Sequence, residues 1–523
     1  MDNVALYHSE YPDYIDSNPY IYKPQTFDQL SGKNNKGLTI MDINIILSET
    51  IKLLKVEELP QSLINDFRAV GRWNNPDYFK KKNMGFYVHG IPKQITARTL
   101  SIEEDNSRTL TYERGLWQKL MGALNKYRNI GITLKIKNHL VSSDVAFPPF
   151  QLKLEDYQQQ DLDNILKGPA QGIISYPTGG GKTIIAAALL GRLNQRTLIC
   201  VHTRDLANQW KEVLTKKCFG KDLSVSMVGG GKLDFSGKHV VIGTVQTLKN
   251  LTDSDDFQSF GCIILDECHH VSAPSFIDVV GKSKAKYRYG LSATLKRQDG
   301  KDFLLEAVFG ETLVELTYKD IESRVELPVV YKVNFDTQET IPMDVYSIRK
   351  GEEYLNMVEM HKFLAADERR TELITNIAGS CMQNPLNSIL ILVKLRDHGT
   401  ELFNRLNAYY PDQVGLLMGG QSKKYQKEKE EMIKKANEGK IRILIGTSIA
   451  DEGLDIARLN VLIMAAPASF DGLIKQRMGR IIRKHPDKGD PVIYDIVDAQ
   501  IPEMLGFWRK REKLYRSIDI EIR

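Results

Sequence analysis

Little in this sequence points to a secreted, metal-clustered or membrane-bound protein. Its five cysteines (Cys200, Cys218, Cys262, Cys268 and Cys381) make no Cys-x-x-Cys pair and are odd in number. A disulfide framework and a zinc ribbon are therefore not expected. The cysteine usage suits a reducing cytoplasm, that of the host if the chain is viral. Met1-Asp-Asn-Val-Ala-Leu-Tyr-His8 has no basic start leading into an apolar run, so no secretory leader is expected. No apolar run approaches the roughly 20 residues that span a bilayer, and no membrane partner is expected. An excess of one charge is missing too: 71 Lys and Arg stand against 66 Asp and Glu, a net +5. That balance permits a polyanionic partner without demanding one.

What is present is length, ordinary globular composition and a set of punctuated motifs. A chain of 523 residues exceeds one core, so about three domains are expected. The most informative stretch is Gly172-Ile-Ile-Ser-Tyr-Pro-Thr-Gly-Gly-Gly-Lys-Thr183, followed by the helix former Ile184–Leu190. A strand, a glycine-rich turn ending in Lys-Thr, and a helix make a phosphate cradle. Pro177, Thr178, Gly179, Gly180 and Gly181 would form the loop, with backbone N–H groups and a helix N-terminus facing the anion. Lys182 would reach the β- and γ-phosphates, and Thr183 would ligate Mg²⁺. The strict pattern wants glycine where this chain has Tyr176. Gly229-Gly-Gly-Lys232 lacks a following hydroxyl and Gly419-Gly420 lacks a spaced lysine, so both read as turns.

Short apolar runs alternate with amphipathic segments around and after this loop. They are Thr197–Val201, Val240–Thr244, Cys262–Asp266 and Tyr287–Leu291, then Asn387–Lys394, Val414–Met418, Ile441–Gly446, Val461–Met464 and Val492–Ile496. This alternation predicts two α/β domains with parallel sheets, and functional loops at the carboxyl ends of the strands. Between them, 341–384 reads as helical and charged. Lys423–Lys440 reads as a lysine-rich helix capped by Ser422 and stopped near Gly439. Residues 1–147 show no catalytic signature. Met41–Leu54 has helical periodicity, and Leu134–Val141 alternates like a half-exposed strand. Basic and aromatic residues mix over Arg68–Tyr87 and Lys126–Lys137. They make either a nucleic-acid grip or a solvated face around a small core. Ala146-Phe-Pro-Pro-Phe150 is a candidate linker.

Two further clusters carry chemistry. Cys262-Ile-Ile-Leu-Asp-Glu-Cys-His-His270 is a strand ending in adjacent acids. There Asp266 would hold Mg²⁺ and Glu267 would orient the attacking water. His269 and His270 have no second ligand cluster, so zinc is not expected. In Gln476-Arg-Met-Gly-Arg-Ile-Ile-Arg483, Arg480 and Arg483 share one face if the stretch is helical, suited to bidentate phosphate contacts.

Taken in order and spacing, Pro177–Thr183, Asp266-Glu-Cys-His269, Ser292-Ala-Thr294 and Gln476–Arg483 resemble the superfamily 2 helicases, DEAD/DEAH-box-like in type. The resemblance spans Pro177 to Arg483. It implies two tandem RecA-like parallel-sheet domains, 148–326 and 327–523, behind an N-terminal α+β accessory DNA-binding domain, 1–147. It also implies ATP and Mg²⁺ as cofactors. Tyr157 and Gln158 then look like the adenine-sensing motif. Thr203 and Arg204, with Thr244 and Gln246, look like the loops that hold nucleic-acid backbone. Thr447 and Gly453 look like part of a motif touching backbone and nucleotide, with Asp455 near the ribose. Gln476, Arg480 and Arg483 would complete the catalytic site with Lys182, Asp266 and Glu267. His269, Ser292 and Thr294 would couple hydrolysis to movement.

Arg288–Gly300 is similar to XPB-like repair and transcription helicases and to bacteriophage recombination helicases of the UvsW type. The XPB pattern has Arg-Glu-Asp where this chain has Arg297-Gln-Asp299, so that element's strand-splitting role is not carried over. The modest N-terminal domain fits the phage type, as do Asn75–Tyr78 and Tyr112–Leu116. The implied function is an ATP-dependent DNA helicase acting on branched DNA or R-loop intermediates of recombination, repair or replication. Its implied partners are single-stranded, duplex or branched DNA, an RNA–DNA hybrid, and recombination or replication proteins. A duplex translocase or transcript-release factor, as in the similar poxvirus helicases, is the alternative. A non-hydrolysing ATP switch is disfavoured by Glu267 and Arg483. No nuclease-like Asp…Glu-x-Lys set accompanies the motor.

Overall fold

The computed structural model describes residues 40–127, 131–229, 234–269, 277–293, 295, 300–349, 352–420, 423–447, 456–468 and 471–523. Thr294, Gly453 and Asp455, together with Ser422, His270 and Arg297–Asp299, lie outside the described residues. The chain forms two compact units. One runs to Tyr176 and resumes over Gly181–Glu315; the other comprises Pro177–Gly180 and Leu316–Arg523.

The first unit holds two large sheets and a short antiparallel pair, Arg72–Asn74 with Gln94–Thr96. A five-stranded sheet has the order Arg98–Ile102, Arg108–Glu113, Thr50–Leu54, Ile40–Leu47, Gly131–Asn138. Its first and last strands in sequence, Ile40–Leu47 and Gly131–Asn138, pair in parallel, and its other pairs are antiparallel. The helix expected over Met41–Leu54 is therefore two strands. Ile43, Ile45, Leu47, Ile51 and Leu53 are buried on one face with the period of two that a strand requires. The reversal between them is closed by the Ser48 N–H donating to the Thr50 carbonyl at 2.9 Å. β-Branched isoleucine favours this outcome, and the apolar count alone could not distinguish the periods. The helices Gln61–Ala69 and Trp117–Leu124 cover that face with Leu63, Phe67, Leu120 and Leu124.

The second sheet of this unit is all parallel and seven-stranded. Its order is Val225–Val228, Val240–Thr244, Thr197–Val201, Cys262–Leu265, Tyr287–Ser292, Gln171–Ser175, Thr312–Glu315. Thr197–Val201 and Cys262–Leu265 are buried at every residue, as strands covered on both faces must be. The two sheets are bolted together by Arg114, which is 2% exposed. Its guanidinium donates to Gln171 Oε1 at 2.7 Å and to the Ala285 carbonyl at 2.6 Å. Gln171 Nε2 returns a bond to the Arg114 carbonyl at 2.9 Å. A Cβ on the next residue, Gly115, would lie 2.3 Å from the Glu306 carbonyl oxygen, so only glycine fits.

The second unit is built on a six-stranded parallel sheet ordered Val329–Phe335, Val492–Asp498, Val461–Met464, Ile389–Leu392, Ile443–Gly446, Val414–Leu417. The segment read as helical over 341–384 begins instead with an antiparallel strand pair, Tyr346–Arg349 and Glu352–Leu355. Helices Met357–Ala366 and Glu368–Met382 then follow. Lys423–Asn437 is a helix, as expected. All five cysteines are free and buried, and burial pushes the Cys262 thiol up to about 12. Among the described residues no helix is long and apolar enough to cross a membrane.

Candidate active site

Because the seven strands run parallel, the residues that follow them emerge at one edge of the sheet. The strand Gln171–Ser175 leads through Tyr176 into the glycine-rich loop. Gly179 and Gly181 take left-handed backbone, φ 91° and 85°, which a side chain would resist. Gly181 caps the helix Lys182–Leu193, whose first amides therefore point out of the helix end. Tyr176 does not adopt positive φ, so the glycine of the strict pattern is not needed there. It is instead a core residue, fully buried, with its hydroxyl donating to Asp161 Oδ2 at 2.5 Å.

The strand Cys262–Leu265, one strand removed across Tyr287–Ser292, delivers Asp266 and Glu267. Lys182 Nζ lies 3.0 Å from Asp266 Oδ1 and also donates to Glu267 Oε1. Glu267 reaches the lysine because its own backbone is left-handed, φ 49°. That is a costly conformation for a non-glycine residue and is typical of functional turns. Burial alone would push the Lys182 ammonium down, but the Asp266 and Glu267 carboxylates outweigh it and hold the pKa above the ordinary lysine range. Asp266 is 3% exposed. Its Oδ1 also accepts the Glu267 N–H at 2.9 Å, and its Oδ2 accepts the Trp210 indole N–H at 2.7 Å. Trp210 was missed by sequence reasoning. The only signal was an apolar residue on the inward face of an amphipathic helix, now Arg204–Glu212, and that signal says core.

The network continues along the same edge. His269 Nδ1 sits 2.8 Å from Ser292 Oγ, at the end of strand Tyr287–Ser292, and 3.5 Å from Glu267 Oε2. Lys182, Glu267, His269 and Ser292 thus form one contiguous polar chain. Thr203 caps the helix Arg204–Glu212 through Leu206 N–H at 3.3 Å. Thr244 caps Val245–Leu248 through Thr247 N–H at 3.4 Å. The side chains of Arg204 and Gln246, beside these caps, are exposed. Gln158 completes a capping box, its Oε1 accepting the Glu155 N–H at 3.1 Å, and Tyr157 stands 6.4 Å from the Tyr176 ring.

In the second unit Thr447 is buried just past strand Ile443–Gly446. Gln476 lies in the helix Asp471–Met478, which ends before Arg480 and Arg483. The shared helical face expected for those arginines is therefore corrected. Gly479 accepts the last i→i−4 geometry, donating to Lys475, and Arg480 and Ile481 make tighter i→i−3 turns. Arg483 then pairs in antiparallel fashion with Val325. Gly479 is obligatory, since a Cβ there would lie 2.2 Å from Thr178 Cβ. Gly179, in the same unit as Thr178, would carry a Cβ 2.9 Å from Val325 Cγ1 and 3.9 Å from Arg483 Cγ.

A glycine-rich loop on a parallel sheet, with a lysine bound to strand-end acids, defines a P-loop nucleoside triphosphatase. The chain belongs to the superfamily 2 helicases and is an ATP-hydrolysing enzyme of tandem RecA-like fold. Residues 151–297 match the family described as "Type III restriction enzyme, res subunit", and residues 369–485 match "Helicase conserved C-terminal domain". A protein of Acanthamoeba polyphaga mimivirus, L396, provisionally named an ATP-dependent RNA helicase, is 29% identical over 88% of this chain and 80% of its own. The DNA 3'-5' translocase XPB2 of Sulfurisphaera tokodaii is 27% identical over 72% of this chain and 89% of its own. Among solved structures, Saccharomyces cerevisiae Dbp5 bound to RNA and ADP BeF3 aligns with TM-score 0.51 and 17% identity, over 71% of this chain and 89% of its own. That likeness is one of fold.

Proposed function

We propose that this protein is a cytoplasmic ATP-dependent DNA helicase that unwinds or remodels branched DNA or R-loop intermediates of recombination, repair or replication, of phage type. The observation that carries the reading is the chain Lys182–Glu267–His269–Ser292, beginning at the phosphate loop and running along the strand-end edge. In it the Asp266 and Glu267 carboxylate oxygens stand where phosphate oxygens would meet Lys182. When nucleotide enters, Lys182 exchanges carboxylate for phosphate and Glu267 is freed to orient water. His269 and Ser292 register that exchange. The hydroxyl of Thr183 and the Asp266 carboxylate are hard oxygen donors and suit Mg²⁺, which when bound neutralises charge on the phosphates. Arg480 and Arg483 are the cations proposed for the transferred phosphoryl group. Thr203, Arg204, Thr244, Gln246 and Thr447 are proposed to hold nucleic-acid backbone. Such contacts carry no sequence preference, so structure selection falls to the accessory sheet.

DNA is preferred over RNA because of the similarity to the XPB-like translocase and the XPB-like stretch at Arg288. The name of that relative also supports a second reading, an ATP-driven duplex translocase without strand separation. The test is steady-state ATP hydrolysis with no polymer, single-stranded DNA, duplex, a four-way junction, an RNA–DNA hybrid and RNA. Glu267→Gln serves as the turnover control. Strongest stimulation by the junction or the hybrid is expected. Equal stimulation by plain duplex moves the assignment to the translocase, and stimulation by RNA alone overturns DNA as substrate.

A further inference from the structure

The accessory sheet's neighbourhood contains a projection that the motor does not use. Between the paired strands Arg72–Asn74 and Gln94–Thr96 the chain makes an excursion over residues 75–93. Asn75, only 5% exposed, closes its base. The Asn75 side chain accepts the Asp77 N–H at 3.1 Å, capping the helix Pro76–Asn83, and donates to the Pro92 carbonyl at 2.8 Å. Its backbone N–H donates to Lys93 at 2.9 Å. Asp77 also pairs with Lys301 at 2.8 Å, which ties the helix start to the body of the unit. The base is thus fixed, while no residue of the helix is buried.

The tip is built for a different purpose. Lys80, Lys81 and Lys82 occupy the last helical turn, where the helix dipole favours cations. The helix then stops in a Schellman motif: Phe86 N–H donates to the Lys81 carbonyl at 2.8 Å and Gly85 N–H to Lys82 at 3.1 Å, with Gly85 at φ 75°. This turn brings the chain to Tyr87, 82% exposed, whose ring stacks on exposed His89 with centroids 5.6 Å apart and planes 13° from parallel. A helix that serves only as a solvated face needs no aromatic pair beside its lysines. Ammonium groups that neutralise phosphates, next to an open ring face that accepts a base, are the two halves of single-strand recognition.

We propose that residues 75–93 form a finger that holds unpaired nucleic acid, with Tyr87 stacking a base and Lys80, Lys81 and Lys82 neutralising the adjoining phosphates. The inference rests on the nucleic-acid-dependent reading above and adds where an unpaired strand is gripped. Duplex conceals its base faces, so the finger distinguishes a fork or displaced strand from plain duplex.

Fluorescence anisotropy of the full chain with labelled oligothymidylate and with blunt duplex tests it, together with basal hydrolysis without polymer. Tyr87→Ala is expected to weaken single-strand binding by about five- to a hundredfold. Tyr87→Phe should bind as the parent does. Replacing Lys80, Lys81 and Lys82 by alanine should reduce the slope of log affinity against log salt by about 2. Basal hydrolysis should not move, because every altered side chain is exposed and remote from Lys182 in sequence, and Tyr87→Ala should leave duplex affinity unchanged, because duplex conceals its base faces. Parent-like single-strand binding by both Tyr87→Ala and the triple variant overturns the finger, as does equal weakening of single-strand and duplex binding by Tyr87→Ala. A parent chain that binds neither polymer, and whose hydrolysis no polymer stimulates, sinks the functional reading itself.

Discussion

Asp266, just past the strand Cys262–Leu265 in the first unit, and Asp495, in the middle of the strand Val492–Asp498 in the second, are both buried aspartates of parallel sheets, yet their partners differ in kind. Asp495 is held by Arg511 through two parallel bonds of 2.8 Å, and the Tyr515 hydroxyl adds a third at 3.0 Å. Three residues on, Asp498 takes Arg370 the same way, at 2.8 and 3.2 Å. These guanidiniums also donate to the backbone carbonyls of Ala468 and Ala465, so all three nitrogens of each are engaged. Asp266 instead faces Lys182, one ammonium on a flexible stem, whose side chain is 13% exposed against 1% for Arg511. A planar fork saturated by carboxylate and carbonyl has nowhere else to go, whereas an ammonium can trade one oxygen for another. A buried carboxylate on a parallel sheet is thus a fixed strut in one unit, and in the other it has a cation free to change partners, as the exchange proposed for Lys182 requires.

The comparison is broken most directly at Arg511. Arg511→Met should leave Asp495 buried without its cation and cost about 3–5 kcal/mol, read from the urea midpoint. Lys182→Ala should do the reverse. It is expected to lower turnover by about a hundred- to a thousandfold while shifting the urea midpoint less, because the Lys182 and Glu267 side chains are 13% and 17% exposed and water can enter the space the lysine leaves. If Arg511→Met unfolds where the parent does, or if Lys182→Ala is the more destabilising, the distinction between strut and partner is wrong.

Much of this was legible before the structure, and the failures have common causes. Thr197–Val201, Val240–Thr244 and Val461–Met464 match their strands residue for residue, because strands buried on both faces leave an unbroken apolar run. The Ile40–Leu54 hairpin was misread because apolar residues at alternate positions can also satisfy a helical spacing over a short window. Arg480 and Arg483 kept their positions in the motif but lost their helix to Gly479, a choice imposed by contact with Thr178. Arg370 and Arg511 gave no signal at all. Arg370 lies 128 positions from Asp498, and nothing local marks an arginine that will be buried by so distant a partner.

Acid should expose a smaller difference between the units. In the second, burial together with the positive charge of Arg370 holds the His398 imidazole down to about 4, and burial, with the charges of Lys394 and Arg370 added, holds His361 down to about 4 as well. Both folded-state values lie below the unfolded value of about 6.5. The neutral imidazole therefore contributes stability that is complete above that pH and is lost as pH falls toward 4. Lowering pH from about 7 to about 5 should remove about 2 kcal/mol through His398 alone. His398→Gln should flatten that part of the profile in urea titrations. An unchanged profile would mean that His398 titrates normally in the folded protein.

The finest test concerns the indole that holds Asp266 from behind. Trp210 is 1% exposed, and its N–H takes Asp266 Oδ2, leaving Oδ1 toward Lys182. Trp210→Phe keeps the aromatic bulk and removes that single donor, freeing the carboxylate to rotate. If Trp210 positions Asp266, the variant should bind manganese–nucleotide about tenfold more weakly by electron paramagnetic resonance, as loss of an outer hydrogen bond to a metal ligand does. Turnover should then recover partly at high Mg²⁺. A purely structural indole predicts a lower urea midpoint with unaltered manganese affinity and no recovery. Because the substitution leaves Lys182 and Glu267 in place, it tests one of the two roles proposed for Asp266 apart from the other. These are pairing with the lysine and presenting a fixed oxygen to the metal.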